Sequence, residues 1–199
     1  ANGQDSPSTC QQVAAGYYPS KTAIISTPTG SYWIGITASP DFRYMAVILQ
    51  YGNIYMSSDS GVSWAALTGA GNKDWQGITS TPDFNKLAAT IWNDNVYFSL
   101  DGGTSWSAWM NSGVKSWTSG IASSPDFSMI VAAAFNNGSG DYLYVSNNGG
   151  VTWSALAGAG SRNWLGVAAS PDFSMMAAVV YNVAAGGQIY FSSNNGENW

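Results

Sequence analysis

One eight-residue phrase recurs four times in this chain and constrains its fold more than any other feature. Each copy reads Ser-x-Asp/Asn-x-Gly-x-x-Trp, and the copies end at Trp64, Trp106, Trp153 and Trp199. Because the copies are 42 to 47 residues apart, their period is that of stacked supersecondary units such as propeller blades.

Two further markers keep the same period. A Ser/Thr-Pro-Asp-Phe phrase ends at Phe42, Phe84, Phe127 and Phe173, and a Trp lies upstream of each copy, at Trp33, Trp75, Trp117 and Trp164. Three markers in one register predict four repeats, which start near residues 33, 75, 117 and 164.

Each repeat divides into four predicted strands. The first follows the marker Trp, and the second is a near-continuous apolar run such as Met45–Leu49, which is typical of strands buried on both faces. The third alternates, as in Gln188–Ser192, and the fourth begins at the Trp of the eight-residue phrase. No window has helical periodicity, so the chain is predicted to be all-β, with four-stranded antiparallel blades.

The eight-residue phrase resembles the Asp-box, or BNR repeat, of sialidases, sortilin-type receptors, secreted xyloglucanases and photosystem assembly propellers. Asn148 and Asn194 replace the Asp in two copies, but Asn can make the same local backbone bonds. The resemblance runs from Trp33 to Trp199 and implies a β-propeller with about four blades. It implies little about function, because this scaffold has many uses.

The N-terminal segment bears on how the propeller is completed. We expect residues 1–21 to form an irregular tail and residues 22–199 to form the propeller. The repeat spacing, counted back from Trp33, assigns Thr22–Ser26 to a fourth-strand position. Such a strand could complete the last blade and close the ring. In the alternatives, the chain is part of a larger propeller, or the strand completes a neighbouring subunit and builds a polymer.

Composition points to an extracellular protein. Charged residues make up 9% of the chain, aromatic residues 14%, and the net charge is −5. Six basic residues argue against nucleic-acid binding, and no apolar run is long enough for a membrane span. We therefore expect a secreted or cell-surface protein, with a glycosylation site at Asn137. Cys10 is the single cysteine, which leaves either an intermolecular bridge or an unpaired thiol.

The residue inventory argues against an enzyme. The chain has no His, which excludes His-based triads and His metal sites, and we expect no metal or cofactor. The resemblance to sialidases implies three arginines around the substrate carboxylate, whereas this chain has only Arg43 and Arg162. Asp74 and Asp94 lie outside the repeated turns and could share a face, so a glycoside hydrolase-like propeller is a further alternative.

One side of the propeller is the predicted binding face. The loops between second and third strands should open on the same side as the loops between blades, and the turn motifs on the other side. Aligned repeats place Trp92-Asn93, Phe135-Asn136 and Tyr181-Asn182 at equivalent positions, with Gln50-Tyr51 in the first repeat. A second set of equivalent positions holds Lys73, Lys115 and Arg162, with Ser31 in the first repeat.

Aromatic rings with adjacent amides and cations are typical of surfaces that bind glycans or peptides. The sequence therefore predicts a non-enzymatic extracellular module that binds a glycan or protein through this face. The alternative is a self-assembling structural subunit of an extracellular fibre, sheath or coat, which low charge and a spare strand favour.

Overall fold

The computed structural model describes residues 32–136, 139–181 and 186–199, and the strands in this part of the chain pair antiparallel. They form four consecutive blades, which confirms the predicted all-β class. Blade 1 contains β1 (Trp33–Ala38), β2 (Met45–Leu49), β3 (Ile54–Ser57) and β4 (Ala65–Ala66). Blade 2 contains β5 (Trp75–Ser80), β6 (Leu87–Asp94), β7 (Val96–Ser99) and β8 (Ser107–Trp109). Blade 3 contains β9 (Lys115–Ser123), β10 (Ile130–Ala134), β11 (Leu143–Ser146) and β12 (Ser154–Ala155). Blade 4 contains β13 (Trp164–Ala169), β14 (Met176–Val180) and β15 (Gln188–Ser192).

Two local features differ from the sequence expectation. Each segment expected to be a loop after a fourth strand contains a short 3₁₀ helix: Thr68–Ala70, Met110–Ser112 and Ala157–Ala159. In blade 2, the apolar run Leu87–Trp92 predicts the second strand, but β6 continues to Asp94, because its last residues pair with the start of β9. The predicted tail (residues 1–21, with Cys10) and the predicted closing strand Thr22–Ser26 lie outside the described residues.

The Pro-Asp turns share one hydrogen-bond pattern. In blade 1, the Ser39 hydroxyl donates to Asp41 Oδ1 at 2.6 Å, and the backbone N–H of Arg43 donates to the same oxygen at 3.0 Å. These bonds, with the Ser39 hydroxyl first, hold the pKa of Asp41 below its ordinary value. The next residue, Phe42, has a φ of 57°, a left-handed conformation that its counterparts in the other blades share.

The eight-residue turns also share one pattern. In blade 2, the Ser105 hydroxyl donates to Asp101 Oδ2 at 2.6 Å, and the Ser105 N–H donates to Oδ1 at 2.9 Å. These bonds, the hydroxyl first, lower the pKa of Asp101 to about 2. In blade 3, Asn148 Oδ1 accepts from the Thr152 N–H at 2.9 Å, and its amide donates to the Thr152 hydroxyl at 2.8 Å. The Asn side chain therefore makes the same turn.

The glycine of the turn is required by a neighbouring blade. Gly150 of blade 3 has a φ of 87°, and a Cβ there would lie 2.1 Å from Trp109 Cε2 of blade 2. Trp109 is buried and stacks on Phe98, with ring centroids 4.6 Å apart. The turn thus shapes its own blade and receives the fourth strand of the preceding one.

The first strands of successive blades pack side by side along the inner edge. The buried Thr90 hydroxyl of blade 2 donates to the Thr118 carbonyl of blade 3 at 2.7 Å. At the next joint, a Cβ at Gly120 would lie 2.7 Å from the Val167 nitrogen, so the glycine allows the backbones to approach closely. The apolar core is accordingly distributed over the joints, with clusters shared by neighbouring blades. No helix in the described residues is long and apolar enough to cross a membrane.

Candidate functional site

The aromatic residues at the ends of the second strands form a continuous row across three blades. The ring centroids of Trp92 and Phe135 are 5.8 Å apart, and those of Phe135 and Tyr181 are 6.2 Å apart. Trp92 and Phe135 are half-buried, whereas Tyr181 is exposed. The structure therefore brings together the three aromatic residues that the repeat alignment placed on one side.

Backbone bridges join the blades on the same side. Each bridge links the loop after a second strand, or in blade 2 the end of β6, to the residue at the cation position of the next blade. The pairs are Gly52 with Lys73, Asp94 with Lys115, and Asp141 with Arg162. The predicted cation positions thus belong to the joints between blades, and their backbones have a structural role.

The cationic side chains fold over tyrosines of their own blades. Lys73 Nζ lies 4.6 Å from the centroid of the Tyr97 ring, and Lys115 Nζ lies 4.4 Å from that of Tyr144. In blade 4, the Arg162 guanidinium lies 4.5 Å from the centroid of Tyr190. All three cations are half-buried. Cation–π contacts therefore occupy one face of each cation, and their part in a shared binding surface stays a prediction.

A cleft of about 260 Å³ opens at the joint between blades 2 and 3. It is lined by Asn93, Val114, Lys115, Ser116, Phe135, Asn136 and Asp141. Four of these residues were predicted site residues: Asn93, Lys115, Phe135 and Asn136. The predicted face thus contains a concavity at the joint of blades 2 and 3.

Asn93 and Ser116 build one wall of the cleft. Asn93 has a φ of 57°, a conformation that Asn tolerates better than most residues. Its side-chain oxygen accepts a hydrogen bond of 2.7 Å from the Ser116 hydroxyl of the next blade. The Ser116 carbonyl in turn accepts from the Phe135 N–H at 2.9 Å, which holds the backbone of Phe135 against the next strand.

Lys115 and Asp141 supply a pair of opposite charges. Lys115 Nζ lies 3.9 Å from Asp141 Oδ2, and Asp141 Oδ1 accepts from the Tyr144 hydroxyl at 2.9 Å and from the Tyr142 N–H at 2.8 Å. Burial raises the pKa of Tyr144, so its hydroxyl remains a donor at neutral pH. The cleft therefore presents amides, a hydroxyl, an ammonium and a carboxylate with little net charge.

The BNR/Asp-box repeat family matches residues 144–155, which include the eight-residue turn of blade 3. The same turn recurs at the equivalent place in the other blades. The chain is a β-propeller with Asp-box repeats. No curated relative matches it in sequence.

Solved structures share this propeller fold at low sequence identity. The chain is similar to the GH74 enzyme of Niastella koreensis, with a TM-score of 0.67 and 23% identity over 89% of this chain and 25% of that one. It is also similar to a chain of the nidogen/laminin complex (TM-score 0.61, 15% identity, 74% of this chain and 56% of that one). A third similar structure is YCF48 bound to D1 peptide (TM-score 0.57, 19% identity, 82% and 50%).

The propeller spans between a quarter and just over half the length of these neighbours. Its four blades therefore fit part of a propeller of that kind.

The remaining predicted residues lie outside the cleft. Trp92 and Tyr181 flank Phe135 in the aromatic row, whereas Lys73 and Arg162 belong to the other two joints. Asn182 and the predicted glycosylation site Asn137 lie outside the described residues. In the part of the chain that the structure describes, no group of His, Cys, Asp or Glu is arranged to hold a metal ion.

Sequence reasoning missed Val114, Ser116 and Asp141 in the cleft. It also missed the tyrosines under the cations, although a Tyr recurs in every repeat, two residues before the Ser of the turn phrase. The four positions are Tyr55, Tyr97, Tyr144 and Tyr190. Asp141 carries no such signal, because the loops that supply the bridging residue differ in length between blades.

Proposed function

We propose that this propeller is a non-enzymatic extracellular binding module whose cleft at the joint of blades 2 and 3 takes a neutral glycan. The observation that carries the proposal is the convergence of Asn93, Lys115, Asn136 and Asp141 around Phe135 in one concavity. A concave site with several convergent polar groups and an aromatic side chain is the usual form of a small-ligand site.

The chemistry of the lining favours a ligand rich in hydroxyl groups. Side-chain amides both donate and accept hydrogen bonds, Lys115 can only donate, and an ionised Asp141 can only accept. Because each sugar hydroxyl both donates and accepts, such a mixed lining can satisfy a row of them. The opposite charges of Lys115 and Asp141 lie 3.9 Å apart and offset each other, which favours a neutral ligand over an acidic one.

The neighbours give this proposal general support, since one is a GH74 enzyme and another is a propeller solved with a bound peptide. Catalysis is not part of the proposal. Asp74 Oδ1 accepts from the side-chain amides of Gln76 at 2.8 Å and Gln50 at 3.3 Å, and Asp94 Oδ1 accepts from the N–H of Asn95 at 2.7 Å. These contacts engage both carboxylates in local structure.

The test is calorimetric titration of the full chain with cellohexaose, xylohexaose and mannohexaose. The Asn136→Ala variant removes an exposed amide from the cleft and should weaken binding at least about tenfold while leaving the melting temperature unchanged. The matched control is Asn147→Ala, an exposed Asn in a turn phrase.

Equal affinity in both variants would place the glycan site elsewhere. If no oligosaccharide binds the unmodified protein, the glycan proposal is wrong. A peptide panel is then the next probe, and sensitivity to Asn136→Ala would identify the cleft as a protein-binding site.

A further inference from the structure

One wall of the cleft is apolar, in contrast to the same place at the other joints. Val114 lines the cleft and is 69% exposed. The repeat register puts Asn72 at the equivalent position of the first joint and Ser161 at that of the third. Because both of those side chains are polar, the valine gives the joint of blades 2 and 3 an apolar surface of its own, beside the half-buried ring of Phe135.

The backbone on either side of Val114 is held in place. The Gly113 carbonyl accepts a hydrogen bond of 3.2 Å from the indole N–H of Trp117, which is fully buried. On the other side, Lys115 pairs with Asp94 in the bridge between the blades. Since both neighbours are anchored and a valine side chain has few rotamers, a ligand loses little free energy in ordering this wall.

The charged groups of the cleft can receive a ligand amide. Asp141 Oδ1 accepts from the Tyr144 hydroxyl and the Tyr142 N–H. Its Oδ2 lies 3.9 Å from Lys115 Nζ, a separation longer than a direct hydrogen bond. Oδ2 can therefore accept from a ligand N–H. The Lys115 ammonium has three N–H donors and can donate to a ligand carbonyl.

We infer that the cleft prefers neutral sugars that carry an acetamido group. The methyl of that group packs on Val114 and Phe135. Its N–H donates to Asp141 Oδ2, and its carbonyl oxygen accepts from Lys115. The inference rests on the proposed glycan site, and it names the class of sugar that this site selects, an N-acetylated hexosamine in a neutral chain.

Other substituents satisfy only part of this surface. A hydroxyl group can bond to Asp141 or Lys115, but it brings no apolar group to Val114. A methoxy group supplies a methyl and no N–H donor for the carboxylate. A protonated amino group places a second cation beside the Lys115 ammonium, and like charges repel. The acetamido group supplies a methyl, a donor and an acceptor without a charge.

The test is calorimetric titration of the full chain with chitohexaose and cellohexaose. The rings of these two hexamers have the same linkage and differ in one substituent, which is an acetamido group in the first and a hydroxyl in the second. The unmodified protein should bind chitohexaose about tenfold more tightly, because one more methyl group is buried and the amide adds hydrogen bonds.

Variants at position 114 identify the contact. Val114→Ser, which matches Ser161 at the third joint, should weaken chitohexaose binding about fivefold and leave cellohexaose binding unchanged within about twofold. Val114→Ile keeps an apolar side chain and should retain the preference. The matched control is Val151→Ser, since Val151 is 61% exposed in the eight-residue turn of blade 3 and does not line the cleft. All these positions are exposed, so the melting temperature should not change.

The outcomes separate this inference from the proposed function. If cellohexaose binds as tightly as chitohexaose or more tightly, and Asn136→Ala weakens binding, the glycan site stands and the acetamido preference is wrong. A preference that persists in Val114→Ser, or equal losses in Val114→Ser and Val151→Ser, overturn the inference as well. If neither hexamer binds, the proposed function and the inference both fail.

Discussion

The two sides of this propeller use repetition differently. On the Asp-box side, one turn occurs four times with the same backbone N–H bond to the side-chain oxygen of its third residue, whether that residue is Asp101 or Asn148. On the loop side, the backbone bridge and the cation–tyrosine contact recur, but the residues around them differ from joint to joint. Gly52 occupies the bridging position at the first joint, Asp94 at the second and Asp141 at the third.

This difference separates scaffold from candidate site. Residues that recur in every blade have a structural role in every blade: they close a turn or join the blade to its neighbour. A ligand needs one particular arrangement, and the cleft at the second joint is assembled from residues that do not all recur. Four predictions can break or sharpen this contrast, and they are given from the largest expected effect on stability to the smallest.

The largest effect is expected for Gly150→Ala on the Asp-box side. The added Cβ meets the indole of Trp109 at 2.1 Å, and Ala must also adopt a φ of 87°. Left-handed strain and overpacking together should cost about 3 kcal/mol or more in the free energy of unfolding, measured by urea denaturation. Gly71→Ala is the control, because Gly71 has a φ of 69° but no atom within 4 Å of the added Cβ, and it should cost about 1 kcal/mol. Equal losses would mean that the approach of Trp109 does not matter.

A smaller effect is expected for Asp101→Ala. The change removes the acceptors for the Ser105 hydroxyl and N–H, so the melting temperature should fall by a few degrees. Asp101→Asn should be nearly neutral, since Asn148 makes the same turn in blade 3. Neither variant should change ligand binding. If Asp101→Ala reduces binding without lowering the melting temperature, the turn has a functional role that the contrast denies.

The carboxylates of the turns should make stability depend on acid pH. The folded-state pKa is about 2 for Asp59, Asp101, Asp126 and Asp172, lowered from 3.8 by hydroxyl and N–H donors. Their contribution is therefore complete above about pH 4 and is lost as the pH falls towards about 2, because the unfolded chain takes up protons first. In the double variant Asp59→Asn/Asp101→Asn, urea denaturation should show a shallower decline over this range. A decline parallel to that of the unmodified protein would contradict the pKa values.

Most of the fold could be predicted from the sequence because its markers are local. The Pro-Asp and Ser-Asp-Gly turns bond within a few residues, so their spacing alone reveals the blades. The 3₁₀ helices were not predictable, since segments such as Ala157–Ala159 have too few residues for a periodic pattern. The extension of β6 to Asp94 depends on pairing with β9, a contact between blades that neither segment encodes alone.

The candidate site was predictable in part for the same reason. Register placed Trp92, Phe135 and Tyr181 on one side, and the structure places their rings in a row, tilted by 40° and 56° to one another. The cleft could not be predicted, because it depends on the paths of two unequal loops and on Asp141, which has no equivalent acid at the first joint. The repeat register therefore identifies which residues lie on the loop side, but the cleft is formed by residues and loop lengths that differ between repeats.

The smallest effect on stability, and the clearest separation of the two roles, is expected from Lys73→Met and Lys115→Met. Both lysines occupy the same repeat position and lie over equivalent tyrosines at 4.6 Å and 4.4 Å, so each change should cost about 0.5 kcal/mol in the free energy of unfolding. Only Lys115 lines the cleft, so only Lys115→Met should weaken oligosaccharide binding in calorimetry.

Because that change leaves Asp141 without its cation, Lys115→Met/Asp141→Asn restores the charge balance and keeps an acceptor for the Tyr144 hydroxyl. If binding recovers in the double variant, the role of Lys115 is to neutralise Asp141; if binding stays weak, the ligand needs the Lys115 ammonium or the Asp141 carboxylate itself. Equal loss of binding in Lys73→Met would extend the site over two joints, and the cation position would then belong to the binding surface rather than to the scaffold.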